Sequence, residues 1–194
     1  MASSFYEDVR KLRGSLGGLP QPQVGPPLIV VSGLPGTGKS FFCRKVAEKL
    51  LFLVLASDAL RKVLFPTPQY DEQENKRLFS ACHALIEELL KKGIPVIFDA
   101  TNLLEHHREY LYRAAESSGA RLILVWLEAP PEVVRQRLLA RERTALPECD
   151  SEAGWEVYSK MKPRSERISR NHLVVDTSQD ITAAVDKIVR AATR

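Results

Sequence analysis

The sequence has few cysteines and no long uninterrupted run of apolar residues. Its three cysteines, Cys43, Cys82 and Cys149, are far apart and odd in number. This spacing matches neither a metal-binding motif nor a disulfide framework, and reduced thiols are the simplest interpretation. No run of about 18 apolar residues is present, and the N-terminus lacks the apolar core and cleavage site of a signal peptide. We therefore expect a cytoplasmic protein with no membrane partner.

The composition is that of a globular chain with a mild excess of positive charge. The 194 residues are 44% apolar and 27% charged, which suits one domain with a sizeable core. The net charge of +4 fits a nucleotide, phosphate or nucleic-acid ligand, although a solvated basic surface explains it equally well. Residues 1–27 are predicted to be an N-terminal extension and linker, with a short helix over 5–12 and a peripheral role. Residues 28–194 are predicted to form the main domain.

Apolar runs alternate with segments of helical periodicity along the whole main domain. The predicted strands cover residues 28–31, 52–56, 94–98, 121–127 and 172–175. The predicted helices cover residues 41–50, 72–91, 106–118, a segment from 131, 155–161 and 181–192, with Gly93 and Gly119 ending two of them. Strands that are apolar throughout are typical of a parallel sheet covered on both faces. The pattern predicts a doubly wound, three-layer α/β fold with a mainly parallel five-stranded sheet and right-handed crossovers.

A glycine-rich segment joins the first predicted strand to the first helix of this domain. It has the phosphate-binding P-loop spacing G-x-x-x-x-G-K-S and consists of Gly33, Leu34, Pro35, Gly36, Thr37, Gly38, Lys39 and Ser40. Glycines let successive N–H groups curl around a phosphate, and the helix N-terminus adds unpaired N–H groups and a positive dipole end. Lys39 can reach the outer phosphates and Ser40 can bind Mg²⁺. The alternative is a strand-to-helix turn that binds nothing.

Polar residues follow the second and third predicted strands, at the sheet edge where ligands bind in open α/β folds. Asp58 is predicted to act as a base toward a hydroxyl or to help hold magnesium, unless it only caps a helix. Arg61 lies one helical turn later and either pairs with Asp58 or binds an anionic group. Asp99 is a candidate magnesium ligand, and Thr101 and Asn102 either bind substrate or cap the next helix.

Arginines on a later helix are candidate phosphate ligands. Arg137 and Arg141 are spaced i, i+4 and share one helix face, whereas Arg135 and Arg143 lie off that face. Arginines on a lid can stabilise charge at the β–γ bridge of a nucleotide and exclude water. The lid is predicted to extend over about residues 135–161, and the alternative is a solvated basic helix.

Together these motifs resemble a family over roughly residues 28–176. The P-loop, Ser57-Asp58-Ala59-Leu60-Arg61, Asp99-Ala100-Thr101-Asn102 and the arginine helix are similar to those of small P-loop kinases grouped with the 5′-hydroxyl polynucleotide kinases. That group also contains zeta-toxin-like and small-molecule kinases.

The resemblance implies a role for each matching residue. Lys39 and Ser40 would bind phosphates and magnesium, and Asp58 would be the general base. Arg61 would hold an acceptor phosphate. Arg141 would clamp the donor, with Arg137 assisting in the lid. The resemblance also marks Arg108 as a recurrent basic position, and it is a candidate substrate-binding residue.

The sequence therefore predicts an ATP- and Mg²⁺-dependent kinase acting on a hydroxyl. The acceptor is either the 5′ end of a nucleic acid or a small molecule such as a metabolite or sugar. Ala100 stands where mechanical ATPases commonly carry a second acid, and no Asn-Lys-x-Asp guanine-reading motif is present. An ATP-hydrolysing switch or a non-catalytic nucleotide-binding module is the alternative from another functional class.

Overall fold

A computed structural model describes residues 2–144 and 153–193. Within these residues, a five-stranded, all-parallel sheet has the order β2-β3-β1-β4-β5. The strands are β1 (Pro27–Ser32), β2 (Leu53–Ala56), β3 (Val96–Asp99), β4 (Arg121–Glu128) and β5 (Leu173–Asp176). The helices are α1 (Ala2–Gly14), α2 (Lys39–Ala47), α3 (Ser57–Leu64), α4 (Glu72–Lys91), α5 (Glu105–Ser117), α6 (Pro131–Thr144), α7 (Trp155–Met161) and α8 (Thr182–Ala192). A 3₁₀ helix at Lys162–Arg164 follows α7.

The two faces of the sheet carry separate apolar cores. On β1, Leu28 and Val30 point into a core shared with α1, α4 and α5, whereas Ile29 and Val31 point into a core shared with α2 and α8. Every residue of β1 is buried because helices cover both faces of the central strand. The predicted doubly wound, three-layer fold is confirmed.

Glycines end two helices as the sequence predicts. Gly93 has φ of 78° and follows α4. Its N–H donates to the Leu90 carbonyl, and the next N–H, of Ile94, donates to Leu89. This pair of bonds is the Schellman motif, and it satisfies carbonyls that the helix end leaves free. Gly119 ends α5 in the same way.

The N-terminal segment is not peripheral, which corrects the expectation for residues 1–27. Helix α1 is longer than predicted, and its Leu12 is completely buried in the core that contains α4. Asp8 on α1 is also buried and pairs with Arg77 on α4 at 2.8 Å. An apolar stripe and an ion pair with one buried partner, Asp8, therefore hold α1 on the sheet's helical layer. The domain boundary at residue 28 stays a prediction.

The C-terminal strand ends bring the predicted site elements together. In the register of the sheet, Asp99 on β3 lies opposite Val31 on β1 and opposite Ala56 on β2. The P-loop follows β1, α3 follows β2, and residues 100–104 follow β3. These three segments therefore begin at one edge of the sheet. None of the helices within the described residues is both long and apolar enough to cross a bilayer.

Candidate functional site

The P-loop is shaped by glycines at which a side chain would displace a neighbour or strain the backbone. Gly33 has φ of 150°, and a Cβ there would lie 2.5 Å from the Leu127 carbonyl oxygen. The Gly33 N–H donates to the Thr101 carbonyl at 3.1 Å, which ties the loop to the segment after β3. Gly38 has φ of 83° and is the N-cap of α2. The first N–H groups of α2 have no acceptor within the helix, and at this position, directly after the loop, they can bind a phosphate.

Lys39 lies half-buried at the start of α2 and turns back onto its own loop. Its Nζ donates to the Leu34 carbonyl at 3.1 Å. Burial lowers the pKa of Lys39, whereas the carboxylates of Asp99 and Asp58 act to raise it and the Arg141 charge lowers it further. Charges that influence one ammonium group in this way lie within electrostatic range of it, and Asp58 and Asp99 both lie at strand ends, on the sheet edge where Lys39 begins α2. The structure thus brings Lys39, both acids and Arg141 to one place.

Asp99 and Ser40 supply oxygen atoms beside this lysine. Asp99 is 5% exposed at the end of β3, and Ser40 is exposed in the first turn of α2. The described residues contain no group of three or more His, Cys, Asp or Glu side chains that could hold a metal ion by themselves. Mg²⁺ usually binds through one or two protein oxygens plus water and substrate phosphates, and this pair of side chains fits that pattern.

Asp58 is positioned by a helix that starts without any intervening loop. Helix α3 begins at Ser57, directly after β2, and places Asp58 in its first turn. Its N-cap is Ala56, and the structure gives no side-chain cap there. A half-buried carboxylate at this sheet edge, close enough for its charge to act on Lys39, can accept a proton from a bound hydroxyl.

Arg61 pairs with Glu74 and not with Asp58, which corrects one of the predicted alternatives. The guanidinium, 5% exposed, lies 3.2 Å from the Glu74 carboxylate, donates to Asn75 at 2.6 Å and covers the Tyr70 ring. The same carboxylate accepts bonds from the backbone N–H groups of Gln69 and Tyr70, both at 2.8 Å. Glu74 thus neutralises Arg61 and fixes the segment between α3 and α4.

Arg108 is a structural residue, and its prediction as a substrate ligand is wrong. The side chain is completely buried. It donates to the carbonyls of Asn102, Glu166 and Arg167 at 2.6–3.0 Å and pairs with Glu105 at 2.6 Å. It therefore joins the segment after β3 to the segment before β5, and no donor is directed to solvent.

The segment after β3 contributes mainly through its backbone. Asn102 is 2% exposed, has φ of 45° and donates from Nδ2 to the Val31 carbonyl at 3.2 Å. In this conformation its side chain braces β1 and does not face a ligand. Thr101 is half-buried, and its carbonyl holds Gly33 as described. Neither residue is the N-cap of α5, which is Leu104.

Helix α6 lies over the P-loop and directs two arginines at it. Val134 and Leu138 pack so closely on Gly36 that a Cβ there would approach them to 2.9 and 3.0 Å. On the same face, Arg137 donates to the side chain and carbonyl of Thr177 at 2.9 and 2.7 Å. Arg141 donates to the Ala153 carbonyl. Residues 145–152 of the predicted lid, with Cys149, lie outside the described residues, as does the Arg143 side chain.

Thr177 is not among the residues predicted from the sequence, although it joins three parts of the site. Its hydroxyl donates to the Thr37 carbonyl at 2.8 Å and accepts from Arg137. Its N–H donates to Glu128 at the end of β4. In the sequence, Thr177 could have been identified by its place directly after the last strand, because Asp58 and Thr101 also closely follow the C-terminal ends of strands. Glu74 offered no such signal, because it lies inside a helix.

Comparisons with known proteins agree with this architecture. A family model described as "AAA domain" matches residues 28–168. An L-seryl-tRNA(Sec) kinase of Methanococcus maripaludis is 29% identical over 119 residues, which cover 59% of this chain and 46% of that kinase. A UPF0200 protein of Aeropyrum pernix is 31% identical over 141 residues, covering 67% of this chain and 70% of its own. The chain thus spans about half the length of the first relative and over two thirds of the second.

A solved structure shows the same fold at lower identity. The APS kinase of Mycobacterium tuberculosis, in complex with AMPPNP and APS, superposes with a TM-score of 0.65 at 20% identity. The match covers 90% of this chain and 100% of that one. With the P-loop, the parallel sheet and the family match over most of its length, this chain belongs to the AAA domain family and has a P-loop kinase fold.

Proposed function

We propose that the protein is an ATP-dependent kinase that transfers the γ-phosphoryl group to a hydroxyl. One observation carries the proposal: the P-loop lysine, Lys39, and the half-buried carboxylate of Asp58 lie at one edge of the sheet, close enough for the Asp58 charge to act on Lys39. A kinase needs the donor's phosphates and the acceptor's hydroxyl side by side, because positioning and electrostatics supply most of the catalysis.

Each residue of the site has a separate role in the proposed transfer. Lys39 releases the Leu34 carbonyl and binds the outer phosphates, while the N–H groups of α2 bind them from below. Asp58 accepts the acceptor's proton as the new oxygen–phosphorus bond forms and the bond to the β–γ bridging oxygen breaks, leaving ADP. Arg137 and Arg141 stabilise the charge that develops on that bridge. Mg²⁺, held by Ser40 and Asp99, would neutralise phosphate charge when bound.

Two substitutions test these roles. Lys39→Ala should abolish phosphoryl transfer, and an active variant would refute the assignment. Asp58→Asn should slow transfer by orders of magnitude while leaving ATP affinity nearly unchanged. A large loss of ATP affinity with normal turnover would instead make Asp58 a metal-binding or structural residue.

The acceptor class has two candidates. A nucleic-acid hydroxyl is supported by the net charge of +4, by the motif likeness to the polynucleotide kinase group and by the seryl-tRNA kinase relative. A small metabolite or sugar is favoured by the ion pair between Glu74 and Arg61. Because Arg61 is paired with Glu74, it is not available to hold an acceptor phosphate near the reacting hydroxyl.

A transfer screen with γ-labelled ATP distinguishes these candidates. The panel contains 5′-hydroxyl DNA and RNA, an aminoacylated tRNA with a hydroxyl side chain, and hydroxylated metabolites. Rapid ATP hydrolysis that no acceptor changes would favour a switch and contradict the kinase proposal.

A further inference from the structure

A cavity adjoins the P-loop on the side of β4. It has a volume of about 270 Å³ and is open to solvent. The residues that matter for its chemistry are Leu34, Thr37, Trp126, Tyr158, Lys162 and Ser165. Two aromatic residues, the hydroxyl-bearing Thr37 and Ser165 and the basic Lys162 therefore meet beside the loop that cradles phosphate, and one acidic residue, Glu128, also lines the cavity.

The chain that forms the outer wall of this cavity is strongly basic. Residues 160–170, called here the basic segment, contain five basic residues and one carboxylate, so their net charge equals the +4 of the whole chain. All five basic side chains are exposed, and those of Lys160, Arg164 and Arg167 make no hydrogen bond or ion pair within the described residues. The segment thus carries unneutralised charge, and a polyanion is the ligand that complements it.

The backbone of the basic segment is fixed to the site. Arg108 binds the carbonyls of Glu166 and Arg167, and Ile168 is buried in the core. The N–H of Glu166 donates to Leu103 at 2.9 Å, directly beyond the segment that holds the P-loop. The charges are therefore presented on a rigid wall and not on a free loop.

Distance sets a minimum length for an acceptor that uses both the base and the cavity. Asp58 follows β2, whereas Trp126 lies on β4, three strand spacings away in the sheet order. At about 4.8 Å per spacing, the two points are about 14 Å apart. That distance equals about four nucleotides at the stacked rise, and fewer in an extended strand, and it is much longer than a sugar ring.

We propose that the cavity and the basic segment bind a single-stranded stretch of nucleic acid whose hydroxyl terminus reaches Asp58. A base would pack on the half-buried Trp126, since Tyr158 is buried and already stacked on Trp155, and backbone phosphates would bind the Lys and Arg side chains of the basic segment. This inference rests on the proposed kinase function and names its acceptor. It also explains how Glu74 can neutralise Arg61: the phosphates are bound at the basic segment and not beside the reacting hydroxyl.

The first test measures binding of fluorescent single-stranded RNA and DNA, about ten nucleotides long, over a range of salt concentrations. The triple variant Lys160→Ala/Arg164→Ala/Arg167→Ala should weaken binding at least tenfold. It should also reduce the slope of log affinity against log salt by about 2, since each phosphate contact on a single strand contributes about 0.7. The RNA and DNA arms decide which backbone is preferred.

The matched control variant removes three positive charges from another part of the surface. The variant Arg10→Ala/Lys187→Ala/Arg190→Ala changes three exposed basic residues on α1 and α8. It should leave the salt slope unchanged. Equal losses in both triple variants, or no salt-dependent binding by the wild type, would overturn the inference.

The second test addresses the cavity. Lys162→Met removes the ammonium group that lies over the Tyr158 ring and keeps an unbranched side chain, and it should raise the KM for a nucleic-acid acceptor several-fold with ATP affinity unchanged. If the wild type phosphorylates a small metabolite efficiently and neither Lys162→Met nor the triple variant alters that reaction, the kinase proposal stands and this inference fails.

Discussion

Gly36 offers a direct test of how tightly the lid helix is packed on the P-loop. In Gly36→Ala, the new Cβ meets Val134 Cγ1 at 2.9 Å and Leu138 Cγ at 3.0 Å, and φ is 78°. A left-handed backbone costs an alanine about 1–2 kcal/mol. Overpacking against a stiff valine adds about 1–3 kcal/mol. The variant should therefore lose about 2–5 kcal/mol of stability.

Gly119→Ala is the matched control for the backbone contribution. Gly119 has φ of 61°, and a Cβ there meets no atom within 4 Å. It should show only the backbone cost, so the difference between the two variants isolates the contact with α6. An excess of about 2 kcal/mol corresponds to a melting temperature about 4–8 °C lower for a chain of this size.

The assay combines chemical unfolding with thermal unfolding in the presence and absence of ATP. Displacement of α6 should also weaken ATP protection in Gly36→Ala, because Arg137 and Arg141 move with the helix. If the two alanine variants were equally stable, the close contact between α6 and the P-loop would not exist in solution, and the reasoning about the lid would be refuted.

Further predictions concern one buried arginine, the threonine behind the lid and a buried histidine. Arg108→Met should lower the free energy of unfolding by about 3–5 kcal/mol, since it leaves buried acceptors unpaired, whereas exposed Arg113→Met should change it by less than about 0.5 kcal/mol. Thr177→Val removes a hydroxyl that holds Arg137, and it should lower kcat/KM about tenfold in a transfer assay. Burial lowers the pKa of His83 from 6.5 to about 4. Between these pH values His83 stays neutral in the folded protein, whereas it binds a proton in the unfolded chain. Wild-type stability should therefore fall by at most about 3 kcal/mol from pH 6.5 to 4, and His83→Phe should lose that part of the dependence.

Each of these predictions has an outcome that would contradict it. Equal stability of Arg108→Met and Arg113→Met in chemical unfolding would mean that the buried network contributes nothing. Unchanged kcat/KM in Thr177→Val would show that Arg137 is positioned without that hydroxyl. Parallel stability curves for the wild type and His83→Phe between pH 4 and 6.5 would show that the histidine is already charged in the folded state.

Local patterns in the sequence were sufficient for the five strands and most of the helices, but helix α3 was not among the predicted helices. The helical periodicity over 72–91 and 155–161 matches α4 and α7 at both ends. The glycines at 93 and 119 end helices as predicted, because only a residue tolerant of positive φ fits there. The P-loop spacing and the apolar strands together predicted the three-layer fold. These features depend on neighbours within a few residues, and such neighbours are visible in a single sequence.

The partners of the charged side chains were decided by the tertiary structure. Arg61 was expected to face Asp58 or a ligand, yet its charge is neutralised by Glu74 on another helix. Arg108 reaches carbonyls of residues almost sixty positions later. Helix α1 joins the core only because α4 presents an apolar surface to it. The sequence shows that a buried charge or an apolar stripe needs a partner. Which segment supplies that partner is decided only when distant parts of the chain pack together.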